Sequence, residues 1–131
     1  MIREAVVNDI PRIIDMVERL TASVAGPQTV DRIKTGETLC GLIASPDGAV
    51  IVSDGGFIAG QLMETVISRD PVAFELGWYA DDRSGLRLLR AFESWATGKG
   101  ASLIKLSCNG GAAQTILERV GYRAIETAMV K

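Results

Sequence analysis

Asp54-Gly55-Gly56 separates two apolar, β-rich runs, and that turn commits the middle of the chain to an antiparallel hairpin. Glycine reaches positive φ without steric cost, so the chain reverses tightly there. Before it, Pro46-Asp47-Gly48 is a turn and Ala49–Ser53 a strand; after it, Phe57–Ile67 reads as the returning strand. Ser68–Pro71 is a second turn, and Val72–Ala80 a further strand. Strict alternation places Glu75, Gly77 and Tyr79 on one face, and Leu76, Trp78 and Ala80 on the other.

Helical periods flank this meander. Ile2–Val7 reads as a first strand, and Asn8, Asp9 and Pro11 then form a helix start. Ile10, Ile13, Ile14, Val17 and Leu20 line one helix face. Thr29–Ala44 carries a weaker pattern, interrupted by Gly36 and Gly41, and reads as one irregular helix or two short ones. Gly85–Lys99 has the clearest stripe, Leu88, Leu89, Phe92, Trp95 and Ala96, ended by Gly100. Ala101–Ser107 reads as a strand, a helix follows Asn109 as far as Gly121, and Tyr122–Val130 reads as a terminal strand. The expected order is β-α-α-β-β-β-α-β-α-β, a mixed α/β sheet in one domain spanning residues 1–131.

Composition narrows the function. The chain has 131 residues, 47% hydrophobic and 23% charged, with a formal net charge of −2 and no Lys/Arg cluster. A phosphate-backbone binder needs a basic surface, so nucleic acid is not an expected partner. There is no histidine, which removes His-based triads and His metal sites, and no metal is expected. Cys40 and Cys108 are too few for a disulfide framework; small-residue surroundings suggest buried thiols in a reducing compartment. MIREAVVNDI lacks the charge pattern of a secretion signal, and no apolar run reaches the roughly 20 residues that span a bilayer. The expectation is a cytoplasmic protein with no membrane association.

Four stretches in this order resemble the GCN5-related N-acetyltransferase (GNAT) superfamily. They are IREAVVNDIPRII, the DGGFIAGQL hairpin, ELGWYADDRSGLRLLRAFESWATGKGA, and NGGAAQTILERVGYR. RSGLRLL with FESWA and a following Gly-Ala is similar to short GNAT-like proteins of phages and prophages. The resemblance covers nearly the whole chain and implies an acetyl-CoA-dependent transfer to a primary amine by a direct ternary complex. No Cys–His pair is available for a covalent acyl-enzyme.

The resemblance also implies roles. Arg83-Ser84-Gly85-Leu86-Arg87 would hold the CoA pyrophosphate at a helix N-terminus, where free amides and the helix dipole favour an anion. This loop is shorter and poorer in glycine than the family pattern, and Asp81 and Asp82 bring negative charge close to it. Glu75 would be the general base, with Glu64 in reserve, and Tyr79 would line the acyl or acceptor pocket. A backbone amide near Tyr79 or Ala80 would polarise the carbonyl. Pantetheine would lie between splayed strands at 74–80 and 101–107, and Asn109 would bond it or cap the following helix. Leu117 stands where many members carry a proton-donating tyrosine; Tyr122, Cys108 and Ser107 are the remaining candidates.

Each assignment has a structural counterpart: a plain strand-to-helix turn, a surface carboxylate, a packed aromatic, a helix cap. The competing reading is therefore a non-catalytic module of the same fold that binds acyl-CoA or a protein partner. Glu64, Asp81 and Asp82 would suit a cationic acceptor, either a small molecule or a protein. An open sheet edge near residue 130 suggests a homodimer.

Overall fold

The computed structural model describes residues 1–131. Five strands form one sheet in sequential order: β1 (Arg3–Glu4), β2 (Gly48–Val52), β3 (Gly56–Met63), β4 (Val72–Ala80) and β5 (Leu103–Lys105). The first four pair antiparallel, and β5 joins β4 in parallel. That parallel step requires the crossover helix α3 (Gly85–Gly98). α1 (Ile10–Ser23) and α2 (Arg32–Ala44) precede the meander, and α4 (Gly111–Arg119) follows β5.

The sheet separates two apolar layers. Ile13, Ile14 and Met16 of α1 and Leu39 and Leu42 of α2 pack with Val50, Val52, Phe57 and Ala59 on one face. Leu88, Leu89, Phe92 and Ala96 of α3 and Leu117 of α4 pack with Ala49, Ile51, Ile58 and Ala73 on the other. The stripe read from 85–99 is the face of α3 that meets the sheet, as burial of an apolar stripe requires.

Asp9 does not cap α1. Its carboxylate accepts a two-pronged ion pair from Arg3 at 2.8 and 2.9 Å, and the Val6 amide at 2.8 Å, locking β1 to the approach of α1. The Arg3 bond foremost, then the Val6 amide, holds its carboxyl down at about 2, against 3.8 when free. The stabilisation is therefore complete above about pH 4 and lost as the pH falls towards 2. Asp9→Asn is expected to cost about 1–2 kcal/mol at neutral pH, with the difference from the parent vanishing near pH 2 in denaturant titrations.

Four sequence expectations are corrected. The first strand is two residues long, because Val7–Asp9 turns into a single 3-10 turn. β3 stops at Met63, where the chain enters a turn closed by Thr65 N–H to the Ser68 carbonyl at 3.2 Å. Cys40 and Cys108 are exposed free thiols, not buried ones. Residues 122–130 form no strand: an alternating pattern becomes a strand only against a ladder partner, and β5 offers a short one. The region 29–44 resolves into one helix, capped by Asp31, which accepts the Lys34 amide at 3.0 Å.

Candidate functional site

β4 and β5 stay paired only from Val72–Leu103 to Phe74–Lys105, while β4 runs on to Ala80. The strands part at Glu75, and their separation coincides with a bulge. Gly60 pairs with Glu75 and Ala59 with Gly77, so Leu76 has no partner in β3. The extra residue reverses the alternation. Ile58 pairs with Trp78, and Ile58 and Gly60 share a face of β3, so Glu75 shares a face with Trp78.

This corrects the expected grouping of Glu75 with Gly77 and Tyr79. Glu75 lies on the α3 side of the sheet, whereas Tyr79 packs against the core under α1 and α2. Gly60 is what permits the close approach at the bulge. A Cβ on Gly60 would meet the Phe74 carbonyl at 2.4 Å and the Phe92 ring at 2.5 Å. β3 therefore approaches β4 and α3 more closely there than any side chain allows.

Glu75 is half-buried, and its Oε1 accepts the Ser107 amide at 3.2 Å across the parting of the strands. Burial raises its pKa above the ordinary carboxylate value, and the Ser107 bond only partly offsets this. Such a carboxylate is poised to take a proton closer to neutrality than an exposed one. Glu64 lies beyond the end of β3 and is exposed.

The loop after β4 engages its exposed acidic groups with partners in the chain. Asp82 accepts the Gly55 amide at 2.8 Å, the Ser84 amide at 3.1 Å and the Ser84 hydroxyl at 2.5 Å. The Ser84 hydroxyl foremost holds the Asp82 carboxyl below its usual range. Ser84 is wholly buried, and its Oγ also lies 2.6 Å from Ser53 Oγ. Asp81 pairs with Arg19 of α1 at 3.3 Å. Two of the three carboxylates expected to attract a cationic acceptor are thus engaged within the chain.

The start of α3 is bare by comparison. No side chain caps it, and the Trp78 indole donates to the Gly85 carbonyl at 3.1 Å, fixing the first turn to β4. The first amides of a helix have no partner within it, which leaves those of Gly85, Leu86 and Arg87 available to an anion. Arg83 and Arg87 are exposed. A methyl on Gly85 would stand at an ordinary 3.9 Å from Ala80 and Trp78, so internal packing does not demand a bare glycine. Ala80 is half-buried against the α3 layer.

Arg83 has φ +69, a left-handed conformation that a side chain adopts at a cost of about 1–2 kcal/mol. The Asp82 bonds on either side of it hold it there. Arg83→Gly is therefore expected to raise stability by about 1 kcal/mol, read as a higher melting temperature.

The remaining candidates fall elsewhere. Asn109 neither caps α4 nor lies free: its amide donates to the Val24 carbonyl at 3.2 Å, and Gly110, at φ +73, occupies the cap position. Leu117 is core. The Tyr122 phenol donates to Glu93 at 2.7 Å, and burial together with that carboxylate raises its pKa far from neutrality. Sequence reasoning missed the Leu76 bulge, the Asp82 clasp and the Ser53–Ser84 pair. Only the bulge had left a signal, the isolated Gly60 within a strand.

No family model matches the chain, and no curated protein matches it in sequence. Solved structures do match in fold. A possible acetyltransferase from Clostridium difficile 630 aligns over 100% of this chain and 95% of its own, with TM-score 0.77 at 15% identity. Glucosamine-6-phosphate N-acetyltransferase from Arabidopsis thaliana aligns over 100% and 96%, with TM-score 0.75 at 14% identity. An aminoglycoside acetyltransferase from an uncultured soil metagenomic sample, in complex with sisomicin, aligns over 100% and 93%, with TM-score 0.70 at 20% identity. The fold is that of the GNAT acetyltransferases.

Proposed function

We propose that the chain binds acetyl-CoA, or another acyl-CoA, and transfers the acyl group directly to a primary amine. The observation that carries this reading is the parting of β4 from β5 at Glu75. It leaves β4 without a β5 partner beyond Phe74, with a half-buried carboxylate where the pairing ends. The open α3 N-terminus lies at the far end of β4, and a shared fold with acetyltransferases supports placing the thioester between them.

The residues divide the work. The amides of Gly85, Leu86 and Arg87 would receive the pyrophosphate, with Arg83 and Arg87 adding charge. Ser84, buried and bonded to Asp82 and Ser53, would hold the loop in shape. Because Asp81 and Asp82 are bonded within the chain, their charge does not oppose the phosphates by direct contact. Glu75 would take the proton from the amine, directly or through water. As the amine nitrogen bonds to the thioester carbon, the C–S bond breaks, the sulfur leaves as thiolate, and the nitrogen gives up its second surplus proton to become the amide.

The bulge leaves Leu76 without a partner in β3, and its backbone amide is a better candidate for polarising the carbonyl than one near Tyr79 or Ala80. Tyr79, on the other face, would act through packing rather than through the base. Leu117 carries no acid and the Tyr122 phenol is bonded to Glu93, so the thiolate would take its proton from solvent or from the exposed Ser107 or Cys108. The lack of a free tyrosine acid favours the competing reading, a non-catalytic acyl-CoA-binding module.

The test is acetyl-CoA consumption with a panel of small amines and peptides, followed by loss of thioester absorbance. Exposed Cys40 and Cys108 would consume a thiol reagent. Amine-dependent consumption is expected; saturable binding without consumption by any amine would favour the module. Arg83→Gly, stabilising in the free protein, is expected to weaken acetyl-CoA binding about tenfold through loss of one charge-assisted contact.

A further inference from the structure

Among residues 107–131 only Leu117 is buried, and only Gly110, Gln114 and Tyr122 are half-buried. The same stretch adds no strand to the sheet, whose last pairing ends at Phe74 with Lys105. Both core layers are built without it, apart from Leu117 and the Tyr122 ring on the α3 side. α4 moreover carries more apolar surface than its seat covers, since Ile116 and Val120 are 44% and 42% exposed. A segment with so little buried surface opens at a lower free energy than the central strands.

Few ties hold the stretch down. Leu117 enters the core, and the Tyr122 phenol donates to Glu93 of α3 at 2.7 Å. At its start the Ser107 amide donates to Glu75 at 3.2 Å, and the Asn109 side chain to the Val24 carbonyl at 3.2 Å. Glu126 pairs with Lys105 on the surface, where water competes with the contact. We propose that residues 107–131 open and close as one unit while the rest of the fold stays intact, and that acyl-CoA holds the unit shut.

The second half rests on the proposed function. There acyl-CoA lies along β4 beyond Phe74, beside the residues that follow β5, and so meets both sides of the opening. Lifting the unit breaks the Ser107–Glu75 bond and takes one side away. A ligand that touches both sides binds the closed form better and shifts the population towards it.

Hydrogen exchange of the full chain, read by mass spectrometry, tests both halves. In the free protein the amides of residues 115–119 are expected to be at least about a hundredfold less protected than those of β3. Low denaturant is expected to speed exchange in β3 and leave α4 unchanged, because a local opening exposes little surface. Tyr122→Phe keeps the ring and removes the Glu93 bond, so it speeds α4 about tenfold and leaves β3 as it was. Saturating acetyl-CoA is expected to slow α4 at least about tenfold.

An α4 protected as well as β3 overturns the unit, as does a Tyr122→Phe that speeds both together. Exchange in α4 indifferent to Tyr122→Phe overturns it too, because it marks a helix that only frays. Acetyl-CoA that binds by calorimetry without slowing α4 overturns the coupling. A unit that opens as described in a protein that binds no acetyl-CoA overturns the functional reading, and the coupling with it, and leaves the unit standing.

Discussion

Glu75→Gln lowers turnover by about 10²–10⁴-fold while leaving the melting temperature unchanged or slightly raised. The two halves of this expectation have separate causes. Glutamine keeps an Oε1 that can accept the Ser107 amide, so the link across the parted strands survives. It cannot take a proton, so the amine stays largely protonated and unreactive. Burial raises the pKa of Glu75 in the fold, which means that its ionised form opposes folding. The stability it contributes is present in acid and lost as the pH rises through its folded pKa, and glutamine escapes that loss. The acid limb of the parent's pH–rate profile is accordingly expected above the ordinary carboxylate range and absent in the variant. A fall in turnover with an equal fall in melting temperature would mark Glu75 as structural instead.

Gly60→Val is expected to destabilise the protein by about 3 kcal/mol or more in denaturant titrations. The obstacles to a Cβ are a backbone carbonyl at 2.4 Å and the wholly buried Phe92 ring at 2.5 Å, and neither can swing aside. Phe92→Ala alone is expected to cost about 3–5 kcal/mol by leaving a cavity under the sheet. Combined, the two are expected to cost less than their sum, because the ring is one of the two obstacles. Strict additivity would mean that β3 and α3 do not meet at Gly60. Since Gly60 lies opposite Glu75 at the bulge, acyl-CoA affinity in Gly60→Val is expected to fall with stability.

The elements were legible because their patterns are local. The 3.6-residue stripe of α3, the Asp54–Gly56 turn and the run 72–80 each follow from neighbouring residues, and the structure bears them out. What the sequence hid is relational. The bulge that moves Glu75 to the face opposite Tyr79 depends on how β3 pairs with β4, and only Gly60 hinted at it. Asp82 read as a repulsive charge beside a phosphate loop, because its partners Gly55 and Ser84 are set by tertiary contact. Asn109 read as a cap, but the end of α1 claims its amide. The alternation in 122–130 was correct as a pattern and failed as a strand for want of a partner within the chain.

An acyl-CoA site between β4, β5 and the start of α3 is open to calorimetric titration with acetyl-CoA. Saturable heat is expected for the parent and affinity at least about tenfold weaker for Arg83→Ala/Arg87→Ala, with Glu75→Gln binding as the parent does. Absence of heat and of thermal stabilisation at millimolar ligand would contradict it, as would binding that ignores both arginines.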